Sequence, residues 1–385
     1  MPYPTRLVIV FAGLVSPLLG GAQQTPPADT ARSGNTPVPT LPVELSGVLY
    51  PQFTYGGAKG SGTRSANRFE LERAYLTARA KLSDRASIRA TIDVFRPTPT
   101  SSYTLRAKYA YAQYDYWGKN EGVLGATGQV RLGMQQTVVI EHEEQFWPRW
   151  IARTGIERTG AFSSADLGAS TTLGFGGGAT ELFAMVANGN GYTTPESDRF
   201  KDYSARLSIA PFGPPSSAAG GIVISPWYYK GARPGALRPA EARRLDRMGV
   251  FAGVRVPALT GGIHLARLTS SRDTALAGGR IAEVEGSSRL LSAHVQIRPF
   301  RLLDPAGNTA WGLLFRWDAI DGDQSYASPG GDFTARDGRF IVTGVVHELS
   351  KKLLWAIDFQ QQSPRGDPLP AQDIRTYNLH VVANF

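Results

Sequence analysis

From about residue 43 to the C-terminus, apolar side chains recur two positions apart, with polar or charged side chains between them. In "RASIRATIDVF", Ile88, Ala90, Ile92 and Val94 oppose Ser87, Arg89, Thr91 and Asp93. In "SRLLSAHVQIRPF", Leu291, Ala293, Val295 and Ile297 oppose Ser292, His294, Gln296 and Arg298. In "WGLLFRWDA", Trp311, Leu313, Phe315 and Trp317 oppose Arg316 and Asp318, and Leu314 breaks the pattern. The last ten residues, "TYNLHVVANF", place Tyr377, Leu379, Val381, Ala383 and Phe385 on one parity and Thr376, Asn378, His380 and Asn384 on the other, with Val382 the exception. A helix would space its apolar residues three and four apart, so these segments are strands. About 16 of them are predicted, over 43–55, 67–82, 85–96, 102–117, 122–134, 166–175, 178–189, 200–211, 219–230, 246–257, 260–271, 287–299, 309–320, 337–349, 352–363 and 372–385.

The connections alternate in length. Those after odd-numbered strands are mostly long: 56–66, 97–101, 135–165, 190–199, 231–245, 272–286, 321–336 and 364–371. Those after even-numbered strands are mostly tight turns, such as "SD" at 83–84, "GKNE" at 118–121, "GG" at 176–177, "ALT" at 258–260 and "SKK" at 350–352, with "PFGPPSSA" and the stretch after Phe300 longer. A soluble sandwich has no reason to sort its loops by parity. A membrane-spanning barrel does, and many of the segments reach the roughly 9–11 residues that a tilted strand needs to cross a bilayer. The expected fold is an all-β transmembrane antiparallel β-barrel of about 16 strands, with the last strand pairing with the first and Phe385 on the lipid side of one rim. The third long loop, 135–165, exceeds ordinary connection lengths and carries Phe146, Trp147 and Trp150; it is expected to fold inward.

The N-terminus adds an address. Residues 1–22 read as a secretory signal peptide, and 23–42, rich in Pro and Thr, as a flexible linker, leaving 43–385 for the barrel. No segment approaches the roughly 20 apolar residues of a spanning helix. There is no Cys, which excludes disulfides, thiolate metal sites and a lipoprotein anchor. The net charge of +9 is spread along the chain rather than gathered in a run, and an exported chain has no nucleic-acid partner to meet.

"NRFELERAYLTARAKLSDRASIRATIDVF" (67–95) resembles the phosphate-selective porin O and P family through Phe69, Leu71, Arg73, Ala74, Asp93 and Phe95. "AYAQYDY" followed by "GQVRLGM" is similar to that family's next strand pair, and the local match spans about 70 residues. The resemblance implies a bacterial outer-membrane porin, a homotrimer among outer-membrane lipids, and a terminal Phe385 read by the barrel-assembly machinery. The chain departs from the family in the third loop, "QQTVVIEHEEQFWPRWIARTGIERTGAFSSAD", so phosphate selectivity does not carry over residue by residue.

Chemistry in such a protein lies in its lining. A charge at mid-bilayer on the lipid face costs about 2–4 kcal/mol, so Ala74, Leu76, Ala78, Ala80 and Leu82 are expected to face lipid. Arg73, Tyr75, Thr77, Arg79 and Lys81 then line the pore, joined by Arg89, Arg131, Arg206, Arg255, Arg298 and Arg316, with Asp93, Asp318 and Asp358 on the same face. Either these cations favour anions or they pair with acids and only keep the wall hydrated. Glu141, Glu143 and Glu144 followed by Arg149, Arg153 and Arg158 make the third loop the candidate constriction. His142 has no second His at helical spacing, so no metal site is expected, and His264, His294, His347 and His380 read as polar lining groups. Ser163, Asp166 and His142 lack a nucleophile-elbow motif, and "GFGGG" at 174–178 is a turn rather than a phosphate loop. The expectation is passive diffusion of small hydrophilic solutes with a mild preference for anions, phosphate among them, and no cofactor or catalysis. The alternatives are a barrel hydrolase and a closed structural barrel.

Overall fold

The computed structural model describes residues 42–58, 66–97, 101–119, 121–214, 221–232, 244–275, 281–304, 310–322, 338–364 and 373–385. The expected leader and residues 23–41 of the linker lie outside them.

Sixteen strands close into one antiparallel barrel in which each strand pairs with its neighbours in sequence and β1 pairs with β16. The first eight are β1 (Val43–Ala58), β2 (Ala66–Lys81), β3 (Ala86–Phe95), β4 (Thr104–Trp117), β5 (Thr127–Gln136), β6 (Ala165–Phe175), β7 (Thr180–Ala187) and β8 (Asp202–Ile209). The second eight are β9 (Ile222–Ala232), β10 (Arg244–Val256), β11 (Leu259–Ala275), β12 (Ile281–Ile297), β13 (Trp311–Gly322), β14 (Gly338–Ser350), β15 (Leu353–Pro364) and β16 (Ile374–Asn384). The helices are short: α1 (Ile140–Glu144), α2 (Gly155–Arg158) and α3 (Pro299–Leu303).

Period-two alternation is realised as two opposite surfaces. Leu45, Leu76, Leu132, Val186, Ile224, Ile263, Phe315, Ile357 and Leu379 are exposed on the outside, while Thr77, Thr91, Asp93, Ser225, His264, Ser292, Asp318 and His380 are buried on the inside. Outward apolar side chains belong in lipid, and the backbone between them has no water to bond.

Closure rests on the β1–β16 seam. The Gly47 amide donates to the Phe385 carbonyl at 2.9 Å, and the Phe385 amide donates to the Gly47 carbonyl at 3.0 Å. The Phe385 ring lies over Gly47, where an added Cβ would fall 2.2 Å from the ring. The Phe385 side chain thus covers β1 at Gly47.

Three details differ from the alternation-based expectation. The β4–β5 connection runs to Ala126, because Val123–Gly125 form a helical turn with Leu124 at φ 58° and the Gly122 amide closes onto the Ala126 carbonyl. The expected 272–286 loop is mostly strand, since β11 and β12 stay in register from Leu259↔Ile297 to Ala275↔Ile281. His347 is not a lining group. It lies opposite Trp311 and Trp355 in register, packs 4.2 Å from the Trp311 ring centroid and faces outward, on the parity of Ile341, Thr343 and Val345.

Gly47→Val places a branched side chain where the terminal ring sits. The expected cost is about 1–3 kcal/mol of overpacking at the seam. Refolding into detergent should give a smaller heat-modifiable folded fraction on gels; an unchanged fraction would show that the ring does not guard the seam.

Candidate functional site

The 137–164 connection occupies the barrel interior. Its residues touch the inner faces of β7 through β15 and reach across to β2, a span that no segment outside the wall could make. Sequence explains why it docks there. Val138, Val139, Ile140, Ile156 and Phe162 pack on inward Phe183, Met185, Trp227, Leu268 and Leu290. Trp147 and Ile151 pack on Leu314, Phe340, Val342, Val346 and Ala356. Each large side chain so buried is worth about 1.5–3 kcal/mol. Leu314 breaks its strand's alternation because its inner neighbour is this loop rather than water. Val382 is likewise inward and buried.

Polar anchors set the loop's register. The Gln360 amide donates to the Ile151 carbonyl at 2.9 Å, and the Arg316 and Arg206 guanidiniums donate to the carbonyls of Arg153 and Val138. Arg316 is fully buried and bidentate to Asp318, with its Nη2 2.6 Å from Oδ2. Glu143, at the centre, faces His264 Nδ1 at 3.0 Å. The Trp227 indole N–H lies 2.9 Å from His264 Nε2 and can only donate. His264 Nε2 therefore accepts, its proton sits on Nδ1, and a neutral imidazole donates to the Glu143 carboxylate. The neighbouring Gly155 amide donates to the other Glu143 oxygen at 3.3 Å. His142 bonds Ser225 Oγ at 2.9 Å, and burial together with the nearby Arg206 charge presses its pKa down to about 2, so it stays neutral.

The loop meets the opposite wall, β16 and β1 to β5, more sparingly, through Arg149 with Glu72 and Trp150 with His380. Two bulges crowd that wall with function. Glu72 is the extra residue where Tyr50 and Pro51 pair with Arg73 and Leu71. Pro51 has no N–H to continue the ladder. Lys108 is the extra residue where Thr91 and Ile92 pair with Tyr109 and Ala107. Each bulge turns two consecutive side chains inward, Glu72 with Arg73 and Lys108 with Tyr109.

Above the loop, at the end of the barrel carrying the long connections, lies a cavity of about 740 Å³. Six arginines line it, Arg73, Arg96, Arg106, Arg149, Arg153 and Arg158, against two glutamates, Glu72 and Glu157. Asp93 is buried between Arg73 at 3.1 Å and Arg106 at 2.8 Å. Arg149 is shared by Glu144 and Glu157, each at 3.1 Å, and Arg158 lies 3.5 Å from Asp318. Glu144 also faces Lys108; its burial outweighs both cations and raises its pKa to about 7.

Below the cavity the remaining cations descend the β2–β5 wall. Arg79 and Arg89 stand directly opposite each other in register. Arg79 reaches Ser46 at 3.4 Å, Arg89 bonds Thr91 at 3.2 Å beside the Tyr109 ring, and Lys108 donates to the Tyr75 hydroxyl at 3.2 Å. Arg131 bonds Gln113 at 2.9 Å and Gln136 at 3.2 Å, and Gln136 in turn holds Glu141 at 3.1 Å. Lys81 is exposed at the end of β2. Among the described residues none of Arg79, Lys81, Arg89, Arg96, Lys108 and Arg131 has a carboxylate within ion-pair distance. On the loop side Arg206 is neutralised by Glu181 at 2.6 Å and Arg298 by Glu348 at 2.9 Å, while Arg255 has no carboxylate within ion-pair distance among the described residues. Arg255 packs over Phe146.

The structure thus gathers Arg73, Arg149, Arg153 and Arg158 around one space, strings Arg79, Lys81, Arg89 and Arg131 along one wall, sets Arg298 in an ion pair apart from both, and buries Arg316 beneath the first group, where it shares Asp318 with Arg158. Arg96, Arg106 and Lys108 escaped the sequence reading. Arg106 shares the parity of Lys108 in "TLRAKYAYAQYDYW", but the bulge hides which parity is inward. Ser163, Asp166 and His142 do not converge. His142 binds Ser225, and Asp166 accepts from the Leu167 and Gly189 amides.

Solved structures share this architecture. The anion-selective porin from Comamonas acidovorans superposes with a TM-score of 0.60 at 13% identity, over 90% of this chain and 100% of that one. OmpT of Vibrio cholerae, expressed in the outer membrane, gives 0.58 at 8% identity over 89% and 97%. Salmonella typhi OmpF in complex with daunomycin gives 0.55 at 9% identity over 89% and 97%. The chain has the fold of bacterial outer-membrane porins. No family model matches it, and no curated protein matches it in sequence, so the resemblance to the phosphate-selective porin O and P family narrows to that fold.

Two measurements test the loop. Trp147→Ala removes the indole that seats it, at a cost of about 3–5 kcal/mol to docking, and should raise single-channel conductance as the loop loosens; an unchanged conductance would separate docking from pore size. Glu144, with its carboxyl titrating near pH 7, is neutral in acid and charged in base. Raising the pH from 5 to 9 should therefore lower the chloride-over-potassium preference, and Glu144→Gln should flatten that pH dependence.

Proposed function

We propose that the protein is a passive porin of the bacterial outer membrane, a water-filled channel for small hydrophilic solutes with a preference for anions. The observation that carries the anion preference is the set of cations on the β2–β5 wall (Arg79, Lys81, Arg89 and Arg131) that have no carboxylate within ion-pair distance among the described residues, with Arg79 in register between Glu44 on β1 and Arg89 on β3. Like charges directly opposite each other destabilise a sheet, and a fold keeps such a conflict where function needs it. A positive wall lowers the barrier for anions in a narrow, weakly screened pore. Across from it, Glu141 and Glu144 on the loop complete a transverse field that orients dipolar solutes. The 137–164 loop is the constriction in this reading, and Arg73, Arg79, Lys81, Arg89 and Arg131 are the lining. Phosphate has no privileged place in it, because the arginines of the large cavity are partly neutralised by Asp93, Glu72 and Glu157.

The same reading takes residues 1–22 as a cleaved export signal, the assembly as a homotrimer, and Phe385 as the handle for barrel assembly. It assigns no catalysis.

Reversal potentials across a planar bilayer under a potassium chloride gradient test it. The wild type should conduct in ohmic steps with the potential displaced toward the anion. Arg79→Gln, Arg89→Gln and Arg131→Gln together should lower the anion-to-cation permeability ratio by roughly 2- to 10-fold. A ratio that does not move would discard the wall as the selectivity element, and a silent protein would favour a closed barrel.

A further inference from the structure

We infer that the 740 Å³ cavity is a binding subsite for a polyhydroxylated carboxylate, a sugar acid of hexuronate size, rather than for inorganic phosphate. This rests on the porin reading above and narrows it.

The inference comes from how donors and acceptors are divided between the cavity's two sides. One side carries carboxamides, Gln52 on β1, Gln360 and Gln362 on β15 and Asn378 on β16. Three of them already spend an N–H inside the protein. Gln52 donates to Glu70 at 2.7 Å, Gln360 to the Ile151 carbonyl at 2.9 Å and Asn378 to Asp358 at 2.9 Å. Their carbonyl oxygens accept nothing among the described residues and can take a ligand's hydroxyl protons, and Gln52 and Gln360 keep a second N–H besides. Gln362 has no side-chain hydrogen bond among the described residues.

The other side and the floor carry cationic donors, set beside the carboxylates of Glu72 and Glu157. Arg96 has no ion-pair partner among the described residues, and its Nε is buried without a hydrogen bond. Among the described residues Arg153 has one ion-pair partner, Glu157 at 3.9 Å, and its side chain is 55% exposed. Their guanidiniums match a carboxylate in bidentate geometry.

A ligand that satisfies both sides must donate at one end and accept, with negative charge, at the other. A sugar acid does both through its hydroxyls and its carboxylate. Phosphate is chiefly an acceptor and leaves the carboxamide oxygens unmatched. A neutral hexose matches those oxygens and leaves the arginines without an anion. The volume suits a monosaccharide with its water.

The test uses the purified full-length protein in planar bilayers, with sodium glucuronate, glucose or sodium phosphate added in turn on the long-loop side. Channel block gives a half-blocking concentration for each solute. Glucuronate should block at a concentration about tenfold below both of the others, the ratio expected when one whole side of the site stays unmatched. Gln362→Leu should raise the value for glucuronate by about fivefold and leave that for phosphate where it was. Block by glucuronate no stronger than by glucose or phosphate overturns the inference while leaving an anion-biased pore intact. Absence of current, or a reversal potential without anion bias, overturns the porin reading and the inference with it. Should Gln362→Leu fail to assemble, the three wild-type values still decide.

Discussion

Everything in this molecule depends on the seam between β1 and β16. A sheet in lipid has no water to satisfy its edges, so it exists closed or not at all. The reciprocal bonds between Gly47 and Phe385 close the last rung, and the terminal ring lies on the one residue whose lack of a side chain admits it. Closure then gives every residue a side. It separates exposed Leu45, Ile263 and Leu379 from buried Thr91, His264 and Ser292, and it sorts the connections between the two ends.

The interior is divided by a second event, the docking of 137–164. Its apolar residues need a dry partner, and the inner face of β7 to β15 supplies one in Phe183, Trp227, Leu314 and Val342. That half of the barrel is accordingly core rather than channel. Buried polar anchors such as Glu143 with His264, and Arg316 with Asp318, add little net stability, because both partners are desolvated; they set where the loop sits. The remaining half, β16 to β5, holds Arg79, Lys81, Arg89 and Arg131, none with a carboxylate within ion-pair distance among the described residues.

The strands were legible because alternation is local: a strand with one face in lipid and one in a polar interior announces itself two residues at a time. The exceptions carried information too. Leu314 and Val382 are inward apolar residues, and Leu314 marks where the loop packs. The bulges were not legible. That Lys108 and Tyr109 both point inward is decided by how β4 pairs with β3, and the crowding of Glu72 beside Arg73 by the missing amide of Pro51 on the adjacent strand. His347 was misplaced because "FIVTGVVHELS" has apolar residues on both parities. One set faces the loop and the other lipid, so alternation could not say which set holds the polar side chain.

By itself the sequence determined the class of fold, the number of strands and the presence of one oversized connection, because all of these follow from near-neighbour periodicity and length. Only the tertiary structure decided which cations remain without acids, which arginines gather around the large cavity, and that carboxamides face them there. Those facts depend on contacts between residues far apart in the chain, Arg149 with Glu72 or Gln360 with Ile151, which the ring of strands brings together and no local pattern encodes.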